Sequence, residues 1–147
     1  MPDIKIYLDM CCYNRPFDDQ SQMRVRLETE AKLFVQSAIR QKRISLAWSY
    51  MLDYENSENP NGETKNAIAV WKAIAVDHCP SSDEVLAAGR GIMKHGINAK
   101  DALHIACAIR CGCERFITTD RKLINKTVPG IKIANPMSFA VEIEELT

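Results

Sequence analysis

Several features are missing from the sequence, and each absence excludes something. No apolar run comes near the ~20 residues that cross a bilayer. The opening stretch MPDIKIYLDM carries Asp3 and Asp9 where a secretory leader would have its long apolar core. Neither sign of charge is in excess: 19 Lys and Arg stand against 19 Asp and Glu, a formal net charge of zero. A strongly basic nucleic-acid coat is thereby excluded, although a local basic patch is not. The six cysteines, at positions 11, 12, 79, 107, 111 and 113, match no zinc spacing, because the C-x-C at 111–113 has no C-x-x-C or His-x-x-x-His partner. Without a leader, a reducing cytoplasm, free thiols and no membrane association are expected. There is no internal repeat and no low-complexity segment.

What remains is an ordinary globular composition, 147 residues with 46% hydrophobic and 26% charged. That length fits a single domain, 1–147, burying roughly two thirds of its unfolded surface. Ile4 to Leu8 reads as a buried strand that stops at Asp9, and 11–22, with Pro16, reads as a loop. From Met23 to Lys42, Val25, Leu27, Ala31, Phe34, Val35, Ala38 and Ile39 recur at helical spacing with charges between them. Further strands are expected at 44–47, 115–118 and 131–134. Helices are expected from Ser49 through Tyr54, and at 63–76, 83–94, 99–111 and 137–145. Ser81 and Glu84 are spaced as a capping box. Strands separated by helices imply a three-layer α/β/α sandwich around a mostly parallel sheet of about four to five strands. Such sheets bind ligands at their carboxyl edge.

Two strands end in an acid there, Asp9 after KIYL and Asp120 after FITT. Asp101 falls in the first turn of the NAKDALHIACA helix, where the dipole favours it, and Glu55 lies in the SYMLDYE helix after the second strand. Four converging carboxylates would repel and carry raised pKa values unless a cation neutralised them. An all-oxygen set suits Mg²⁺ or Mn²⁺. Taken singly, a strand-end Asp is as readily a helix cap.

IYLDMCCYNRPFDD (6–19), SYMLDYE (49–55), GINAKDALHIACAI (96–109) and FITTDRKL (116–123) together resemble the PIN-domain ribonucleases. Many members of that family are the toxin half of a toxin–antitoxin pair, the VapC group. The resemblance spans nearly the whole chain. It implies a metal-dependent endoribonuclease that hydrolyses RNA phosphodiester bonds with water activated by Mg²⁺ or Mn²⁺. Asp9, Glu55, Asp101 and Asp120 would be the catalytic and metal-holding acids, with Thr118 and Thr119 supporting them. Asp53 competes with Glu55. The two differ by about 200° around a helix, so only one can face the site, and the Ser49-to-Glu55 spacing favours Glu55. RNA is the implied substrate, and in a toxin an antitoxin peptide would cover the groove. PIN domains are often dimers, so a homodimer is also among the implied partners.

The sequence departs from many members at Cys11, where a Ser or Thr is common and a thiol is the poorer donor. Asn14 and Arg15, in the NRPFDD loop, and Arg121 and Lys122, directly after Asp120, are candidates for contacting substrate. His104, three residues after Asp101, reads as packing near the site or donating a hydrogen bond rather than as a catalytic group. Trp48 and Trp71 read as core, and Cys107 and Cys111 as inert thiols on a buried helix. The alternatives are a non-catalytic PIN-like module that binds RNA or protein, and a phosphatase-like hydrolase. No DxDx[TV] run follows the first strand, which counts against an aspartyl-phosphate route.

Overall fold

A computed structural model describes residues 4–14 and 19–145. Arg15 lies outside the described residues. Five strands form one sheet in the order β3-β2-β1-β4-β5, with all four pairings parallel. They are β1 (Lys5–Leu8), β2 (Ser45–Ser49), β3 (Asp77–Cys79), β4 (Arg115–Ile117) and β5 (Lys132–Ala134). Among the described residues, eight helices run between and after them: α1 (Met10–Asn14), α2 (Met23–Arg40), α3 (Tyr50–Ser57), α4 (Gly62–Ile74), α5 (Asp83–Met93), α6 (Ala99–Arg110), α7 (Arg121–Ile124) and α8 (Pro136–Glu145). This is the expected three-layer α/β/α sandwich. No helix among the described residues is long and apolar enough to cross a membrane.

The strand pleat assigns the two faces. Tyr7 on β1 is in register with Ala47 and Phe116. It stacks on Phe116 at 5.4 Å and meets His104 of α6, so these residues face α6. Trp48, one residue on from Ala47, points the other way and packs edge-on against Tyr13 of α1, beneath Lys32 of α2. Helix α5 packs along α6, and α8 along α2. The chain order reverses between β1 and β4, so the ends of those two strands flank the crevice where such sheets bind ligands. Helix α6 closes just before β4 in a Schellman turn. Gly112, at φ 75°, donates to Ile109 O and Cys113 donates to Ala108 O.

The structure differs from the sequence reading in several places. Residues 10–14 are a helix rather than loop, a single turn too short to show a period. The edge strand DHC (77–79) has no apolar alternation to announce it, and α7 is four residues long. Ser82, not Ser81, caps α5, accepting from Val85 N at 3.2 Å. The phase of α2 is also different. Glu28, Lys32, Val35, Ala38 and Ile39 are its buried positions, whereas Leu27, Leu33 and Phe34 are exposed. All six cysteines are free thiols. Burial pushes Cys107 and Cys113 well up and Cys111 to about 11, as expected of inert groups.

Candidate metal centre at the carboxyl edge

Asp9 follows β1 at the crevice, and its backbone N–H continues the ladder by donating to Ile117 O at 2.9 Å. Its carboxylate is fixed from two directions. Met10 N donates to Oδ1 and Thr118 Oγ1 donates to Oδ2, each at 2.9 Å. Thr118 lies just past β4, so this one hydroxyl ties the ends of the two central strands. It also accepts from Asp120 N at 3.2 Å, linking both strand-end acids. Cys11 occupies the space of the expected hydroxyl. Its Sγ lies 3.6 Å from Asp9 Oδ2 and 3.5 Å from Thr118 Oγ1, and accepts from Thr119 N at 3.3 Å.

Ser49 ends β2 and caps α3, accepting from Leu52 N at 3.3 Å. The cap starts the helix at the carboxyl edge and turns Glu55 inward. There Glu55 meets His104 Nε2, and Lys100 Nζ stands 3.7 Å from its other oxygen. Asp53 points elsewhere: Trp48 Nε1 donates to it at 2.9 Å and Lys72 pairs with it at 3.1 Å. Ligand atoms of Asp9, Glu55 and His104 all lie within 4.8 Å of one another.

Asp101 and Asp120 stand at the margin of this trio. Asn98 caps α6, accepting from Asp101 N at 2.9 Å while its amide donates to Asp101 Oδ2 at 3.0 Å. Asp120 caps α7, its Oδ1 accepting from Lys122 N and Leu123 N at 2.9 and 3.3 Å. The Asp120 carboxylate thus caps α7 and also lines the cleft it shares with Asp101. Two clefts of about 420 Å³ each reach the acids. One is lined by Glu55, Asn14 and Asn61, the other by Asp101, Asp120, Lys122 and Lys126. Arg121 is exposed on α7 and lines neither cleft.

The electrostatics match a place for a cation. Burial raises the Asp9 carboxyl, only partly countered by His104 and the Thr118 hydrogen bond. Burial raises Asp101 too, and the charges of Asp9 and Asp120 push it further up. Burial also acts on Glu55, but His104 and Lys100 override it and hold that carboxyl low. A cation placed among these groups would relieve the raised carboxylates, and the oxygen-rich donor set fits a divalent ion.

His104 is the residue that the sequence left aside and the structure brings to the centre. It is 1% exposed, and its Nδ1 lies 2.6 Å from Tyr7 Oη. The available signal was its place one turn after Asp101. The partner that holds it, Tyr7, is 97 residues away in the chain.

No protein-family model matches the chain, and no curated protein matches it in sequence. Among solved structures, the fold is similar to a chain of VapBC2 from Rickettsia felis, crystallised bound to a DNA fragment from their promoter. The TM-score is 0.54 and the identity 13%, covering 90% of this chain and 98% of that one. At that identity the likeness is one of fold.

Proposed function

We propose that this chain is a PIN-type endoribonuclease that uses a divalent metal, of the toxin kind that an antitoxin protein holds in check. The observation that carries the reading is the meeting of Asp9, Glu55 and His104 at the β1–β4 crevice, with Asp101 and Asp120 beside them. Asp9, Glu55, Asp101 and Asp120 would hold Mg²⁺ or Mn²⁺. When bound, the ion would supply activation of water and neutralisation of charge at the scissile phosphodiester.

The chain's own groups do the rest. Thr118 holds Asp9 in place and, through Asp120 N, sets the second strand-end acid beside it. Lys122 and Lys126 line the cleft shared with Asp101 and Asp120, where they can pair with the phosphates of an RNA strand. Asn14, in the other cleft with Glu55, offers an amide to a sugar or base. Arg121 lines neither cleft, and Arg15 lies outside the described residues. The likeness of fold to a chain of VapBC2 supports an antitoxin as the partner.

The test is cleavage of an end-labelled, mixed-sequence single-stranded RNA with Mn²⁺, Mg²⁺ or EDTA, comparing wild type with Asp101→Asn. Cleavage that needs metal and is lost in the variant is expected. Equal cleavage by both proteins would remove Asp101 from the site. Undiminished RNA binding by a wild type that cuts nothing would favour a binding module.

A further inference from the structure

Tyr7 is fully buried, two residues before Asp9 on β1, and its hydroxyl stands between two partners. His104 Nδ1 and Ser49 Oγ each lie 2.6 Å away. The phenol ring is clamped by its stack on Phe116 and its edge contact with the imidazole, centroids 5.7 Å apart. A chain of polar contacts thus runs from the cap of α3 through Ser49, Tyr7 and His104 to Glu55, and ends beside Asp9.

We propose that His104 Nε2 is a nitrogen ligand of the metal site, that Tyr7 backed by Ser49 is the positioning residue holding it there, and that the site therefore takes Mn²⁺ in preference to Mg²⁺. This rests on the metal reading given above and narrows it. Four carboxylates alone would accept either ion. One imidazole changes the balance, because Mg²⁺ keeps oxygen ligands and water, whereas Mn²⁺ belongs to the transition series that accepts nitrogen.

A ligating histidine characteristically gives its other ring N–H to a fixed partner, which sets tautomer and ring orientation. Tyr7 suits both tautomers, since a phenol both donates and accepts. When Nε2–H faces Glu55, Nδ1 accepts from the Tyr7 O–H. When the Nε2 lone pair is given to an ion, Nδ1–H donates to Tyr7 Oη and the Tyr7 proton turns to Ser49 Oγ. The same three protons serve both arrangements.

The test is pulsed electron paramagnetic resonance on the full chain loaded with Mn²⁺, together with calorimetric titration by MnCl₂ and MgCl₂. Nitrogen modulation on the bound Mn²⁺ is expected in wild type, retained in His78→Ala/His95→Ala and lost in His104→Gln. Tyr7→Phe should weaken Mn²⁺ by about 10–100-fold, as for other losses of a ligand's supporting partner, with Mg²⁺ much less affected. Bound Mn²⁺ without nitrogen modulation in wild type overturns the proposal whether or not any variant folds. Equal weakening of both ions by Tyr7→Phe also overturns it, by reducing Tyr7 to a packing role. Asp9→Asn separates the two levels. Mn²⁺ binding that survives in Asp9→Asn defeats the metal reading itself. Binding lost in that variant, but with no nitrogen on the wild-type ion, defeats only the histidine.

Discussion

Tyr7 and Tyr13 are both buried, on opposite sides of the same sheet, and their surroundings differ in kind. On the α6 side the Tyr7 hydroxyl has two partners at 2.6 Å and connects to the acids. On the α2 side the Tyr13 hydroxyl has no hydrogen-bond partner among the described residues, and neither has the ammonium of Lys32, which lies 4.3 Å over the Tyr13 ring. Polar groups withdrawn from water cost free energy unless they are paired. The α6 side therefore uses its buried polarity to hold side chains in position, while the α2 side bears a cost without a visible return in geometry. Substitutions on the two sides should differ in sign as well as size.

The largest effect belongs to the working side. Asp9→Asn should lower RNA cleavage by more than the ~100-fold upper range seen when a supporting residue of a metal site is lost. The fold should survive, because an amide can still accept from Met10 N at its carbonyl oxygen, while its nitrogen can donate to Thr118 Oγ1 in place of the bond it loses. A metal-dependent cleavage assay alongside circular dichroism checks both halves. Cleavage within a few-fold of wild type would move the chemistry away from the β1–β4 crevice.

Next in size is Lys32, where the sign reverses. Burial lowers its pKa from the usual 10.5 to about 8, partly offset by the nearby Cys12 and Cys11. Below pH 8 the lysine is charged in both states, and the fold bears the whole penalty. Between pH 8 and 10.5 the unfolded chain holds the proton and the folded one does not, so stability rises with pH across that window. The full span corresponds to ~3 kcal/mol. Lys32→Met should therefore gain up to ~3 kcal/mol at pH 7, with the difference from wild type shrinking by pH 9.5 and RNA cleavage unchanged. Urea melts of both proteins at the two pH values measure it. A loss of stability at pH 7 would mean that the ammonium has a real partner.

How much of this was legible in the sequence follows the same division. Asp9 and Asp120 were visible because each ends a β-rich run, Asp101 because it opens a helix, and Glu55 because Ser49 so plainly caps the helix that carries it. His104 was not, since its role depends on Tyr7, and only the β1–β2 register brings Tyr7 level with Ala47 and so next to Ser49. Lys32 was hidden by the assumption that charges on an amphipathic helix face water. That assumption set the phase of α2 by Leu27 and Phe34, which are exposed, and missed Glu28 and Lys32, which are not. Strand β3 and helices α1 and α7 are shorter than the windows in which a period can be read.

Smaller effects are expected at the tyrosines themselves, and here the two sides meet in one experiment. Tyr7→Phe leaves His104 Nδ1 and Ser49 Oγ inside the protein without the hydroxyl they share, so a loss of ~1–3 kcal/mol is expected. Tyr13→Phe removes a hydroxyl that has no partner to abandon among the described residues. The ring stays against Trp48, and its face stays beneath Lys32, so packing and the cation–π contact survive. The expected result is a change within ~1 kcal/mol, neutral or stabilising, because the desolvation of an unpaired group disappears with it. Chemical denaturation of the two variants under one condition gives the comparison directly. If Tyr13→Phe were as damaging as Tyr7→Phe, the Tyr13 hydroxyl would have to be bonded, to a water held between α1 and α2 for instance. The same water would then also serve the Lys32 ammonium, and the contrast between the two sides of the sheet would vanish.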